Sequence, residues 1–365
     1  MSKLRIVVKI GSLGVTEEAG GVSEKKIHRL LHDLYKLKED GHEIILVSSG
    51  AINTGRAFVK KPDEKKMMIS YQQASAAIGQ PILMNAYQKI LSMWSWPSAQ
   101  LLVTHEDFKD RTRFLNIRNT MMRLLDNGVL PIINENDTVS FAEITVGDND
   151  QLAVMISEAA DADQLILLTD ADGLYDKNPK EADAKRFDII DYSDDFSGVK
   201  IAAKTSVGRG GMDTKLRAVR KLTPLGMNVI IGSFNFDAPI SRLLNKSGGS
   251  IFLGNPAAQM NRRQSWLSTV VKNEAIINID DGAGEALLKK KTSLLPVGIR
   301  KVAGTFKRGD VVNVKLKNKI IAVGISEFSS KELELLKGKK SADIMQIVED
   351  APSNVAIHKD NLLLV

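Results

Sequence analysis

The chain has 365 residues, 43% hydrophobic and 26% charged, with a net charge of +6 at neutral pH; that length exceeds a comfortable single core and points to two domains. It contains no cysteine, which excludes disulfides, thiolate metal sites and cysteine nucleophiles. No apolar run approaches the roughly 20 residues of a membrane span, and Met1-Ser2-Lys3-Leu4-Arg5 leads straight into the strand-like Ile6-Val7-Val8 without a signal-peptide layout, so a cytoplasmic protein is expected.

The first 250 residues alternate short apolar runs with amphipathic helical patterns, which predicts an α/β fold with a mainly parallel open sheet sandwiched by helices. The first strand, residues 5–9, closes on Lys9 and a turn through Ile10, Gly11, Ser12, Leu13 and Gly14. A lysine beside exposed backbone N–H groups suits a phosphate, although such a turn is also common without one. Ile27, Leu30, Leu31, Leu34 and Leu37 then form a helical apolar stripe. A strand at 43–47 ends in Ser48-Ser49-Gly50-Ala51, whose small residues let a ligand approach the backbone; a plain strand–helix turn reads equally well.

Phe114, Ile117, Met121, Leu124 and Leu125 mark a further helix, followed by a strand at 130–133 that ends in Asn134-Glu135-Asn136-Asp137. A buried strand has no structural need for such a tip, and its mixed donors and acceptors suit a zwitterion. Val146-Gly147-Asp148-Asn149-Asp150 opens the next helix, with Leu152, Met155 and Ile156 as its stripe. Asp148 can serve as an N-cap, yet consecutive Asx residues exceed what capping needs. The strand at 164–168 ends in Thr169-Asp170, and Gly208-Arg209-Gly210-Gly211-Met212-Asp213-Thr214-Lys215 is a glycine loop entering a helix after which a strand at 228–231 follows. Lys215 falls in a first helical turn, where the dipole disfavours a cation unless an anion is bound there.

Around 255–273 the pattern weakens into a polar stretch that reads as a domain boundary. Beyond it, runs at 275–279, 311–315, 320–323 and 355–358 predict a compact, mostly β module of about 90 residues. Residues 274–365 hold 15 Lys+Arg against 12 Asp+Glu, half of the positive excess. That balance fits a solvated surface or a faint nucleic-acid footprint. Neither the P-loop pattern nor a dinucleotide glycine fingerprint occurs. His28 and His32 stand at i, i+4 without a third ligand in the pattern, which favours surface residues over a metal pair.

In their joint order and spacing, Lys9-Ile10-Gly11-Ser12, Val47-Ser48-Ser49-Gly50, Asn134-Glu135-Asn136-Asp137, Gly147-Asp148-Asn149-Asp150, Thr169-Asp170 and Gly210–Lys215 resemble the glutamate-phosphorylating members of the amino acid kinase family. Asp110–Arg118 resembles that family's helix start. Asp281-Gly282-Ala283, 293–300 and 355–360 are similar to the PUA domain that many members carry. The likeness spans nearly the whole chain. It implies an amino acid kinase domain at 1–258, a linker at 259–273 and a small β-rich PUA-like domain at 274–365. It also implies a reaction in which ATP and L-glutamate give L-glutamyl 5-phosphate and ADP, opening proline biosynthesis, with Mg²⁺ held through the nucleotide phosphates and by no dedicated protein metal site.

Carried over by position, the resemblance makes Lys9 and Lys215 the phosphoryl-gripping cations and Asp150 the group that orients them. Ser49, Gly50, Asn134, Asp137, Asp148 and Asn149 would hold glutamate. Lys9, Gly11, Thr169, Asp170, Arg209, Gly210, Gly211, Met212, Asp213, Thr214 and Lys215 would contact ATP. The chain departs from the family at Leu13-Gly14, where a second hydroxyl residue is usual, and at Arg209, where a smaller residue is usual. The family further implies a homo-oligomer (dimer or tetramer), proline as a feedback inhibitor and coupling to the next enzyme of the pathway, with no membrane partner. Rival readings are a related kinase acting on acetylglutamate, aspartate, carbamate or UMP, and an RNA-binding role for the tail. Against the latter, the tail offers only Phe306 and Phe328 as an aromatic pair of note.

Overall fold

The computed structural model describes residues 3–63, 68–139, 149–178, 181, 183–194, 211–258, 275–290, 292–317 and 319–364. The chain divides into two compact units, Met1–Gln259 and Met260–Val365. The linker expected at 259–273 lies outside the described residues.

The first unit is built on β1 (Arg5–Ile10), β2 (Glu43–Ser48), β3 (Ser98–Val103), β4 (Leu130–Glu135) and β5 (Gln164–Thr169). After the small β6 (Leu174–Tyr175), β7 (Arg186–Phe187) and β8 (Ile189–Ile190) come β9 (Asn228–Ser233) and β10 (Ser250–Phe252). Eight of these form one sheet in the order β3-β4-β2-β1-β5-β9-β10-β8. Its pairings are parallel except that of β10 with β9. From β1 the chain adds strands first on one side, through β2, and later on the other, through β5. That reversal opens a crevice at the C-terminal ends of β1, β2 and β5, where such sheets bind ligands. The expected parallel α/β architecture is therefore present.

The helices of this unit are α1 (Glu24–Glu39), α2 (Ala51–Gly55), α3 (Met68–Leu91), α4 (His105–Lys109), α5 (Arg111–Asp126), α6 (Asn149–Ala159), α7 (Met212–Leu222) and α8 (Pro239–Leu244). The α1 stripe is buried as its spacing predicts, from Ile27 through Leu37. In α5 the buried face is instead Leu115, Arg118, Met121 and Leu125, with Phe114 and Ile117 partly buried along its flank. Arg118 belongs inside because its guanidinium donates to the Ala159 carbonyl that ends α6 and to Asp161 at 2.7 Å.

Side-chain alternation along β1 decides which face meets which helices. Ile6, Val8 and Ile10 pack into a core with α1 and α3, whereas Val7 packs with α6 and α7. Lys9 shares the parity of Val7. It therefore points toward the face covered by α6 and α7. The strands also run one or two residues past their predicted ends, so Ser48, Asn134, Glu135, Thr169 and Ser233 are strand-terminal residues. β3 and α3 carry no clean period in the sequence, and α3 even contains Pro81.

The second unit holds a five-stranded sheet, β12-β11-β13-β14-β15, from β11 (Ile276–Ile279), β12 (Ile299–Ala303), β13 (Val311–Leu316), β14 (Lys319–Ile325) and β15 (Leu362–Leu364). Short helices α9 (Asp281–Lys290), α10 (Ser330–Leu336) and α11 (Ile344–Ile347) accompany it. The strand expected at 355–358 is absent; that segment is buried but crosses the chain in a single bridge, Ile357 with Leu294, and the closing strand is β15. Phe306 and Phe328 lie in the core, 2% and 0% exposed, so neither is presented for stacking on a base. Among the described residues, no helix is long and apolar enough to cross a membrane.

Candidate active site

Two helices bring their first turns to the end of β1. Lys9 Nζ lies 2.6 Å from Asp150 Oδ1 in α6, and Lys215 Nζ of α7 lies 3.0 Å from Asp150 Oδ2. The Thr214 hydroxyl donates to the same Oδ2 at 2.7 Å. These residues are almost wholly enclosed: Lys9 is 6% exposed, Lys215 3% and Asp150 0%. Burial alone would push the Asp150 carboxyl up, but the ammonium charges of Lys9 and Lys215, with the bonds from Lys9 and Thr214, hold it well below the ordinary carboxylate range.

The electrostatics explain each placement. A carboxylate in the first turn of α6 is favoured by the helix dipole, whereas Lys215 in the first turn of α7 is not. Asp150 offsets that second cost. One carboxylate between two ammonium groups still leaves the trio with a net positive charge.

Beside this trio runs a ladder of neutral groups. Asn149 Nδ2 has three acceptors in reach, Ser49 Oγ at 2.6 Å, the Ser48 carbonyl at 2.9 Å and Asn134 Oδ1 at 3.0 Å, which share its two hydrogens. Ser49, Asn134 and Asn149 are therefore brought together. Gly50 caps α2 at φ +111°, where a side chain is strained, and a Cβ there would sit 2.8 Å from Val15 Cγ2. Asp137 borders a small pocket shared with Gln80, Glu135 and Asn136. A Cβ at Gly11 or Gly211 would meet no atom within 4 Å, so the backbone at both borders open space. Thr169 Oγ1 donates to Asp170 Oδ1 at 2.9 Å at the tip of β5, the strand paired with β1. Met212 is partly buried against the α7 core, and Asp213 lies in the first turn of that helix. Asp148, Arg209 and Gly210 lie outside the described residues.

Several polar groups at this end escape a reading of the sequence. Gln80 and Tyr87 of α3 reach Asn134 and Ser48. Burial pushes the Tyr87 phenol well above its ordinary range, the bond with Ser48 acting the other way. His105 Nδ1 stands 3.4 Å from the buried Glu135 carboxylate. Ser233 Oγ bonds the Asp170 carbonyl at 3.3 Å. The excess of polar residues at 134–137 was a usable signal for Glu135; Gln80 and Tyr87 offered none. Among the described residues, no group of His, Asp or Glu is arranged to hold a metal ion, and His28 and His32 stack on each other beside Trp94.

Residues 4–233 match the model of the amino acid kinase family, and residues 275–348 that of the PUA domain. Glutamate 5-kinase from Dictyoglomus turgidum is 40% identical over 362 residues, covering 99% of this chain and 97% of the relative. Glutamate 5-kinase 1 from Bacillus subtilis is 39% identical over 347 residues, 94% and 95% of the two chains. The enzyme of that name from Haemophilus influenzae strain PittGG is 37% identical, each chain covered in full. Among solved structures, carbamate kinase from Giardia lamblia bound to AMP-PNP superposes with TM-score 0.52 at 16% identity, over 70% of this chain and 99% of that one. That likeness concerns the fold of the first unit.

Proposed function

The chain belongs to the amino acid kinase family, and from that premise we infer that it transfers the γ-phosphoryl group of ATP to the side-chain carboxylate of L-glutamate. The products are L-glutamyl 5-phosphate and ADP, the first step of proline biosynthesis from glutamate. Full-length similarity to glutamate 5-kinases from several bacteria supports this substrate over acetylglutamate, aspartate, carbamate or UMP.

The observation that carries the mechanism is Asp150 clamped between Lys9 and Lys215. A glutamate carboxylate is already nucleophilic at neutral pH, so no base need remove a proton. One carboxylate oxygen forms a bond to Pγ as the bond from Pγ to the β,γ-bridging oxygen breaks, and the electron pair leaves on ADP. Catalysis then rests on alignment and on positive charge that grips the transferring group most strongly in the transition state. Lys9 and Lys215 supply that charge, and Asp150 keeps both aimed. Ser49, Asn134, Asp137, Asn149 and Asp148, together with the turn at Gly50, hold the amino acid. Gly11, Thr169, Asp170 and the 209–215 loop, Met212, Asp213 and Thr214 included, receive the nucleotide, which brings Mg²⁺ on its own phosphate oxygens. Proline as a feedback inhibitor, self-association and a cytoplasmic location accompany this reading.

An ATP-consumption assay with hydroxylamine as the acyl-phosphate trap tests it. Glutamate alone among glutamate, acetylglutamate, aspartate, carbamate and UMP should give a hydroxamate with equal ADP. Turnover with another acceptor, and none with glutamate, contradicts the assignment.

A further inference from the structure

Helix α3 backs the tips of two strands with polar side chains that the reaction does not consume. Gln80 and Tyr87 stand two helical turns apart on its buried face. Tyr87 shares a 2.8 Å hydrogen bond with Ser48 Oγ, and Gln80 Oε1 accepts from Asn134 Nδ2 at 2.9 Å. Gln80 is only 9% exposed. Its depth is fixed by its neighbour in sequence: a Cβ on Gly79 would sit 1.9 Å from the Ala51 carbonyl oxygen. At this point α3 therefore rests on the backbone of α2, the helix that begins directly after Ser49-Gly50.

A side-chain amide accepts at one end and donates at the other, so a row of amides has one direction; here two main-chain groups agree on it, the Glu135 N–H that gives to Asn134 and the Ser48 carbonyl that takes from Asn149, and Gln80 receives the hydrogen left at the outer end. Gln80 takes the amino end of Asn134. The carbonyl end of Asn134 then faces Asn149 Nδ2 at 3.0 Å and the Glu135 backbone N–H at 2.9 Å. The two Asn149 Nδ2 hydrogens are shared among Asn134 Oδ1, the Ser48 carbonyl at 2.9 Å and Ser49 Oγ, which at 2.6 Å is the shortest of the three contacts. Two results follow at the far end. The Ser49 oxygen is used as an acceptor, so its own hydrogen is left to donate outward. The Asn149 carbonyl oxygen is turned away from the ladder, where it can accept. Reversing Asn134 would set its amino group against two other donors, a costly arrangement in a buried site.

We propose that Gln80 is a positioning residue: by accepting from Asn134 it closes the hydrogen-bonded row of Asn134 and Asn149 and holds it against the amino-acid subsite, where the Ser49 hydroxyl is presented as a donor to the substrate's oxygens. The proposal rests on the glutamate reading above. Its signature is selective. Disorder in the ladder reaches the amino acid and leaves the Lys9–Asp150–Lys215 trio, on the opposite face of β1 from α3, in place.

Steady-state kinetics on the full chain test this with Gln80→Met, which keeps length and removes the acceptor, and Gln80→Glu, which keeps an acceptor. Gln80→Met should raise the KM for glutamate about tenfold, the scale of one buried hydrogen bond, while the KM for ATP stays within about twofold. Gln80→Glu should restore most of the glutamate KM, because it still accepts from Asn134. An unchanged glutamate KM in Gln80→Met overturns the proposal, as does a parallel rise in both KM values with a lowered melting temperature, which marks a packing role. Should Gln80→Met fail to fold, Gln80→Ser gives the same readout. If the native chain yields no hydroxamate from glutamate, it is the substrate reading that fails, and Gln80 is judged on the KM of whichever acceptor the panel identifies.

Discussion

Lys9, Asp150 and Lys215 meet at 6%, 0% and 3% exposure in the first unit, whereas the best-connected ion pairs described in the second unit stand nearer water. There Arg308 Nε reaches both Glu332 oxygens at 3.0 and 3.1 Å, and Arg308 Nη2 reaches Asp350 Oδ1 at 3.0 Å. The Arg308 side chain is 33% exposed and that of Asp350 83%. That network is also one charge out of balance, one cation against two carboxylates, but water reaches it and screens the excess. The buried trio sets two cationic side chains against one carboxylate away from water, where charge acts most strongly on a neighbouring anion. The two units thus differ in where they place paired charge: near water in the second, enclosed in the first, where the proposed chemistry would use it.

Removing the buried counter-charge breaks this contrast most severely. Asp150→Asn strands two enclosed ammonium groups and should cost about 3–5 kcal/mol of stability in the first unit, read as an earlier urea transition, with activity nearly abolished. The native carboxyl lies below its ordinary value of 3.8. Its stabilising share is therefore complete above that value and is lost only as the pH falls through the lower folded one. Between pH 5 and 8 the difference between native and Asp150→Asn should carry no titration step from this group.

A smaller loss is expected from Gly79→Ala. The new methyl would stand 1.9 Å from the Ala51 carbonyl oxygen, so α2 and α3 must part, at a cost of about 1–3 kcal/mol. Calorimetry should show a lowered melting temperature, and kinetics a raised glutamate KM. Arg308→Ala should do least, because pairs this exposed contribute little. Its kcat should match the native value, and a large drop would mean that the second unit's surface charges enter the chemistry.

The legible parts of the site were those that interrupt a pattern. Lys9 ends an apolar strand, Lys215 occupies a helix start that disfavours a cation, and the polar clusters at 134–137 and 148–150 follow runs that need no such ends. Charge in the wrong place is visible without coordinates. Gln80 and Tyr87 were not, because each is an ordinary residue inside a long helix whose buried face has no clean period. Their partners lie 54 and 39 residues away in sequence, and only the sheet order brings them close. The close approach of Gly79 to the Ala51 carbonyl was hidden for the same reason: small residues announce close approach only once the partner helix is known. In the second unit, the run at 355–358 had a strand's composition but not a strand's neighbours, and pairing is what makes a strand.

In the proposed mechanism Lys9 and Lys215 grip one phosphoryl group between them. Lys215→Met, which keeps the stem and removes the charge, tests it in a single-turnover assay of glutamyl hydroxamate formation, both substrates saturating and folding verified by circular dichroism. The rate should fall about 10²–10³-fold, near 3–4 kcal/mol of lost transition-state stabilisation. A rate within a few-fold of native would contradict it.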